Sequence, residues 1–451
     1  MTRGNKIAVG VCVSLVLAGA VFAQPPGQPP PGQPPPGQPP LPANLKDPGV
    51  RQGPAGAGTP LPGLTASQLQ YFNAGAGTFA EVEDVSKGLG PTFNLDSCGG
   101  CHAQPFLGGS SPANNPQIAV SSKNGALNKL PPFVHADGPA FAVRFRNVPG
   151  TNQPDGGVRG LFTIAGRADA PGCTLAQPDF SNPNNLSLRI PTPLFGAGLI
   201  ESISDSEILE NLAANSLQKQ RLGINFKVNT SGNDGTITRF GWKAQNKSLL
   251  VFAGEAYNVE LGVANELFPS KRSAVPGCVF SGAPEDATHT DAASYTEVSA
   301  DTVSFGIFMR FLDAPIAENA DDPVVTQGRN AFHAAGCNLC HTPSLTTGAV
   351  SVAALSNKQA NLYSDLAIHN MGRNLNDGVS QGNANGADWR TAPLWGLGKR
   401  IFLLHDGRST DLVDAIYQHR GPGSEASAVV NAFDALPAQQ QQAMLVFLRS
   451  L

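Results

Sequence analysis

Apolar and polar positions follow helical spacing in only part of this chain, and those parts come in matching pairs. Near the end, Met444, Leu445, Leu448 and Leu451 recur at helical spacing and predict one buried face of a closing helix. Phe308-Met-Arg-Phe-Leu312 answers Phe447-Leu-Arg-Ser-Leu451, each at the end of a predicted helix. Gly75-x-x-x-Phe79 answers Gly328-x-x-x-Phe332 in two segments that read as amphipathic helices, and Pro193-Leu-Phe-Gly-Ala-Gly198 answers Pro393-Leu-Trp-Gly-Leu-Gly398. Three matches in one order predict an internal duplication. Residues 103–190 and 213–300 are rich in Asn, Gly and Pro, which predicts loops with a few short strands.

The N-terminus follows another logic. Arg3 and Lys6 precede the apolar run Ile7–Ala23, and a small residue closes it, the pattern of a secretory signal peptide cleaved near Ala23. A retained membrane anchor is the alternative, although seventeen residues are marginal for spanning. Gln24–Pro42 then repeats Gly-Gln-Pro-Pro-Pro, an extended tether of up to roughly 60 Å. Folded structure is expected from about Leu61. No other run approaches spanning length, so a polytopic membrane protein is excluded. With 30 Lys and Arg against 34 Asp and Glu, no broad basic field attracts nucleic acid.

Cys12 leaves with the signal, and six cysteines remain. Four of them form Cys98-Gly-Gly-Cys101-His102 and Cys337-Asn-Leu-Cys340-His341. Two thiols at this spacing can form thioethers to the vinyl groups of a haem, while the adjacent histidine ligates its iron. A structural zinc site needs no histidine after each pair, and a thioredoxin-like dithiol needs a βαβ context that is not visible. Two covalently bound c-type haems are therefore expected, one in each half. Cys173 and Cys278 are left over. An even count in an oxidising compartment favours a disulfide between them, with two free thiols as the alternative. The reading is a mainly α chain. Residues 1–23 are the signal peptide and 24–60 a linker. Residues 61–315 are expected to form a first helical domain with loop-rich insertions carrying short strands, and 316–451 a second.

At these motifs the chain resembles the dihaem oxidoreductase family of peroxidase-like proteins. More distantly it is similar to the bacterial dihaem cytochrome c peroxidases and the methylamine-utilisation dihaem enzyme. The matching stretches are Gly90-Pro-Thr-Phe-Asn94, Pro191-Thr-Pro-Leu-Phe-Gly196, Phe240-Gly-Trp-Lys-Ala-Gln245, Tyr363-Ser-Asp-Leu366, His369-Asn-Met-Gly372, Trp389-Arg-Thr-Ala-Pro-Leu-Trp-Gly-Leu-Gly398 and Leu404-His-Asp-Gly-Arg408. The resemblance implies two cytochrome-c-like helical domains facing one another, with one electron-transfer haem and one haem where hydrogen peroxide is reduced. It implies a small redox protein as electron donor or acceptor and leaves a homodimer open.

It also implies roles for single residues. Trp242 matches a tryptophan between the haems, where an indole can relay an electron. The peroxide pocket of the family carries Gln, Pro and Glu, and this chain has Phe252, Ala256 and Glu260 at those positions. A more apolar pocket is thus expected, with Glu260 as its acid and no amide to orient peroxide. The distal ligand of the second haem falls fourteen residues beyond His405, at His419, with Met371 as the alternative. His405 itself can hold its loop or touch a haem propionate, and His135 is a candidate resting ligand for the first haem. His333 and His289 carry no expected role. An inter-haem calcium ion, where the family has one, would use Thr391 and Pro393, while the asparagine expected beside them falls near Arg189.

Overall fold

A computed structural model describes residues 41–288 and 299–451. The expected signal peptide, the proline repeat as far as residue 40 and His289 lie outside the described residues. The chain is mainly helical, with short strands borne on loops and two helix-rich lobes that pack together. In the first lobe the helix Ala66–Ala80 packs on Asp301–Phe311; in the second, Pro323–Ala335 packs on Ala438–Ser450. Helix starts are marked in the sequence. Thr65 and Gln68 form a reciprocal capping box, and Asp322 accepts from Val324 N–H ahead of Pro323.

Each helix pair crosses at one of the matched glycines. A Cβ on Gly75 would stand 2.5 Å from Ser304 O and 3.1 Å from Phe308 Cβ. On Gly328 it would stand 2.0 Å from Ala443 O and 2.7 Å from Phe447 Cβ. Only a missing side chain lets the two backbones approach this closely. The paired Gly-x-x-x-Phe motifs therefore do the same work in both lobes: the glycine admits the partner helix and the phenylalanine packs on it, Phe79 against Phe308 and Phe332 against Phe447. We predict that Gly328→Ala destabilises the protein by at least about 1–3 kcal/mol, the usual cost of overpacking. A melting temperature within half a degree of the parent protein's, roughly 0.4 kcal/mol or less for a chain of this size, would contradict it.

The insertions are tied down by small antiparallel sheets. Ala142–Phe145 lies between Val158–Arg159 and Leu186–Arg189, in register Val143 to Leu188, and Ile368–Asn370 pairs with Asp388–Arg390. Cys173 and Cys278, 105 residues apart, are joined by a disulfide that clamps the first-lobe loops together.

The boundary expected at Leu61 comes too late. Residues from 41 onward already dock on the second lobe: Leu45 is buried among its helices, Asp47 pairs with Arg449 at 2.6 Å, and Lys399 Nζ donates to Gln52 O. Proline-rich composition hid this strap, because its anchors are single residues and a backbone carbonyl rather than a periodic apolar face.

Candidate functional site

Both Cys-x-x-Cys-His motifs fold into a single tight turn closed by the histidine. His102 N–H donates to Cys98 O at 3.0 Å, and His341 N–H donates to Cys337 O at 2.9 Å. Each turn forms one wall of a large apolar cavity. Cys98, Cys101 and His102 line the first with Phe79, Leu95, Phe305 and Met309, around about 1150 Å³ of empty space including its mouth. Cys337, Cys340 and His341 line the second with Phe332, Leu394, Met444 and Leu448, around about 1590 Å³. Burial pushes the Cys98 and Cys337 thiols up to about 12, so both are protonated at neutral pH.

Three imidazoles are held in one tautomer. His102 Nδ1 lies 2.9 Å from Gly109 O, His341 Nδ1 3.0 Å from Tyr363 O, and His419 Nδ1 2.7 Å from Ala415 O. A carbonyl can only accept, so Nδ1 carries the proton and Nε2 keeps its lone pair, the arrangement that suits a metal ligand. Burial pushes His102 and His341 down to about 4 and lowers His419 too, so all three stay neutral.

His419 caps the end of the helix Leu412–Gln418, whose start is capped by Asp411. It lines the second cavity with His341, and so does Met371. Among the described residues no second histidine lines the first cavity, and His135 sits in a separate turn with Gly138. His333 is exposed on its helix.

Trp242 lines both cavities and donates its indole N–H to Ile190 O at 2.8 Å. Beside it Trp389 stacks on His405 at 3.8 Å, and burial pushes His405 down to about 4. Sequence reasoning gave no role to His369. Its two ring nitrogens lie 3.0 Å from Asp365 and 2.9 Å from Glu425, so both must donate and the ring is an imidazolium.

Glu260 lies in the turn of π-helix Tyr257–Leu261 and lines the first cavity. Burial raises its pKa, against an opposing hydrogen bond from Asn94 Nδ2. The cavity is apolar, as Phe252 and Ala256 predict, but the expectation that no amide reaches it needs correction. Both residues line the cavity, but Asn94, Arg144 and Gln245 line it too. Gln245 Oε1 is buried without a hydrogen-bond partner, so an amide reaches this cavity from the loop after Trp242.

The residues do not fit calcium at the expected loop. Thr391 O accepts from Ser364 Oγ at 2.6 Å, Pro393 O accepts from Arg400 Nη2 at 2.6 Å, and Arg189 is paired with Asp377. A fixed guanidinium already occupies the carbonyl that would bind the ion.

The residues do fit haem. Arg390 and Arg400 line the second cavity, and burial pushes both down to about 10. Arg390 Nε donates to Gly241 O, Arg400 Nε has no partner, and no carboxylate among the described residues pairs with either. Buried cations without an anion are costly, so the cavity is built for a ligand with acidic groups. A haem has an apolar ring and two propionates, and the cysteine pair and neutral imidazole complete the set needed to hold it.

A family model described as "Di-haem oxidoreductase, putative peroxidase" matches residues 172–451. No curated protein matches the sequence. Among solved structures, a hydrazine synthase of Kuenenia stuttgartiensis aligns at 16% identity over 36% of this chain, with a TM-score of 0.23. The chain spans 59% of that hydrazine synthase chain. A MauG-like protein associated with microbial copper homeostasis aligns at 16% identity over 58% of this chain and 89% of its own, with a TM-score of 0.26. Matched over well more than half its length, the chain belongs to the di-haem oxidoreductase family.

Proposed function

We propose that this protein is an exported c-type dihaem oxidoreductase that reduces hydrogen peroxide with electrons from a small redox protein. The observation that carries this reading is the asymmetry of two otherwise matching cavities. The second presents His419 together with the motif histidine; the first presents Glu260 and, among the described residues, no second histidine. The second cavity, with two imidazoles, would suit a haem that only transfers electrons, and the first, with an acid in its wall, would suit one that meets peroxide.

A haem bound in each cavity supplies the redox chemistry, and the protein sets ligand, access and proton delivery. His102 and His341 serve as proximal ligands. Trp242, a wall of both cavities, offers the electron path between them. Glu260, whose pKa burial raises, can deliver a proton to the departing oxygen of peroxide. Asn94 holds its carboxyl in place. The matched glycines and motifs support an origin by internal duplication, with residues 61–315 and 316–451 as its halves. The run Ile7–Ala23 supports export, which is where c-type haem is attached.

Two measurements test the proposal. Peroxide turnover with reduced small cytochromes or copper proteins should be detectable, and one haem should show a high-spin band in the oxidised or half-reduced form. Two low-spin haems in every redox state, with no turnover, would make the protein an electron carrier. His419→Gly should convert the second haem from low to high spin and leave the other unchanged. That change in Met371→Ala, and not in His419→Gly, would reassign the ligand.

A further inference from the structure

Behind the first cavity lies a buried polar cluster that the proposed peroxide chemistry does not use. Tyr257 begins the π-helical turn that carries Glu260 and is 1% exposed. Its hydroxyl lies 2.8 Å from Glu83 Oε1 and 3.2 Å from Asp301 Oδ2. Glu83 is itself 3% exposed. A phenol has one proton to donate, so it can hydrogen-bond only one ionised carboxylate. Burial raises the pKa of Glu83 to about 7 and that of Asp301 as well, and it drives the phenol far above its usual value. Glu81, Asp286, Lys87 and Cys98 are the other titratable groups acting on the cluster.

The ring faces the other way, into the cavity wall. Tyr257 packs edge-on against Phe305 at 5.0 Å, Phe305 against Phe79 at 5.9 Å, and Phe79 against the His102 imidazole at 5.9 Å. A continuous run of ring contacts thus joins the phenol to the proximal ligand of the first haem. Removing an electron from a buried tyrosine leaves a phenol cation that a dry interior does not tolerate, unless its proton has somewhere to go. Glu83 is that place.

We propose that Tyr257 is a redox-active tyrosine, giving up one electron toward the first cavity while its phenolic proton moves to the Glu83 carboxylate. This rests on the reading that peroxide is reduced there. Hydrogen peroxide takes up two electrons and two protons to give two waters. Tyr257 supplies one electron and the redox-protein donor the other. The Tyr257 O–H bond breaks and an O–H bond forms on Glu83, leaving a neutral phenoxyl and a neutral carboxylic acid. A further donor electron, with the proton returned from Glu83, restores the phenol.

The experiment uses the holoprotein with Tyr71→Phe, which removes a tyrosine 58% exposed on the surface. Hydrogen peroxide is added to the half-reduced form, in which a donor has already supplied one electron, the sample is frozen within milliseconds, and the paramagnetic signal is compared with ring-deuterated tyrosine. The expected result is a radical whose spectrum narrows on deuteration and falls at least tenfold in Tyr257→Phe. Phenylalanine keeps the ring packing, and haem content and circular dichroism check the fold. Glu83→Gln, which keeps the phenol and loses the proton acceptor, should lower the yield several-fold. An undiminished tyrosine signal in Tyr257→Phe, or none in a parent protein that does consume peroxide, overturns the inference. Peroxide consumption and haem absorbance are followed in the same samples. If neither changes, the peroxide reading fails, and photo-oxidised ruthenium tris(bipyridine) then serves as the one-electron oxidant. A tyrosyl signal lost in Tyr257→Phe still supports the inference, and equal yield in both proteins overturns it.

Discussion

Cys98→Ser with Cys101→Ser is expected to leave one covalent haem per chain. The two motifs line separate cavities, so loss of thioether attachment at one should not touch the other. The haem-to-protein ratio from the pyridine haemochrome spectrum should fall from two to one, and haem staining of a denaturing gel should fade by about half. The remaining haem should keep the spectrum assigned to His341 and His419. Cys337→Ser with Cys340→Ser should give the complementary spectrum. Stability should fall as well, because a group that binds only the folded chain adds to its stability and the emptied cavity keeps its apolar walls. A ratio of two in both double variants would end the haem reading of the motifs.

Local features of the fold were legible where a motif encodes its own contacts. Gly75, Phe79, Gly328 and Phe332 stand at helical spacing, and a glycine four residues before a phenylalanine describes a helix crossing without outside information. The same holds for the cysteine motifs, whose turn is closed by hydrogen bonds within five residues. What stayed hidden depends on partners far apart in the chain. Asn94 meets Glu260 across 166 residues, and Arg189 meets Asp377 across 188, as no spacing rule would foretell. Gln245 was read as part of a matching stretch, yet its unpartnered amide matters because the chain folds it into the cavity where Phe252 replaces another amide. His369 shows the same limit. Its charge follows from Asp365 and Glu425 together, and Glu425 comes from a loop 56 residues away.

Glu260→Gln should slow peroxide turnover by about 10²- to 10⁴-fold, the usual worth of positioned acid–base help. Splitting the O–O bond heterolytically needs a proton on the departing oxygen. Glu260 lines the first cavity with the motif cysteines and His102, and burial raises its pKa, which keeps the acid form available. Asn94 Nδ2 donates to Glu260 Oε2, and Asn94 Oδ1 accepts from Leu161 N–H at 2.8 Å. The carboxyl is thus anchored to backbone rather than swinging freely, and glutamine of the same shape can take its place with little repacking. The haem spectra and melting temperature of Glu260→Gln should therefore match the parent while turnover falls. The direction with pH follows from the raised pKa. Activity that needs protonated Glu260 is full below that pKa and declines as pH rises through it, and Glu260→Gln should remove this limb of the profile. Gln245→Leu separates proton delivery from peroxide orientation: it should weaken turnover without moving the pH limb, since an amide does not titrate. Unchanged turnover in Glu260→Gln would remove this residue from the chemistry and leave its contact with Asn94 as a fastening between the turn Tyr257–Leu261 and the loop before the first cysteine.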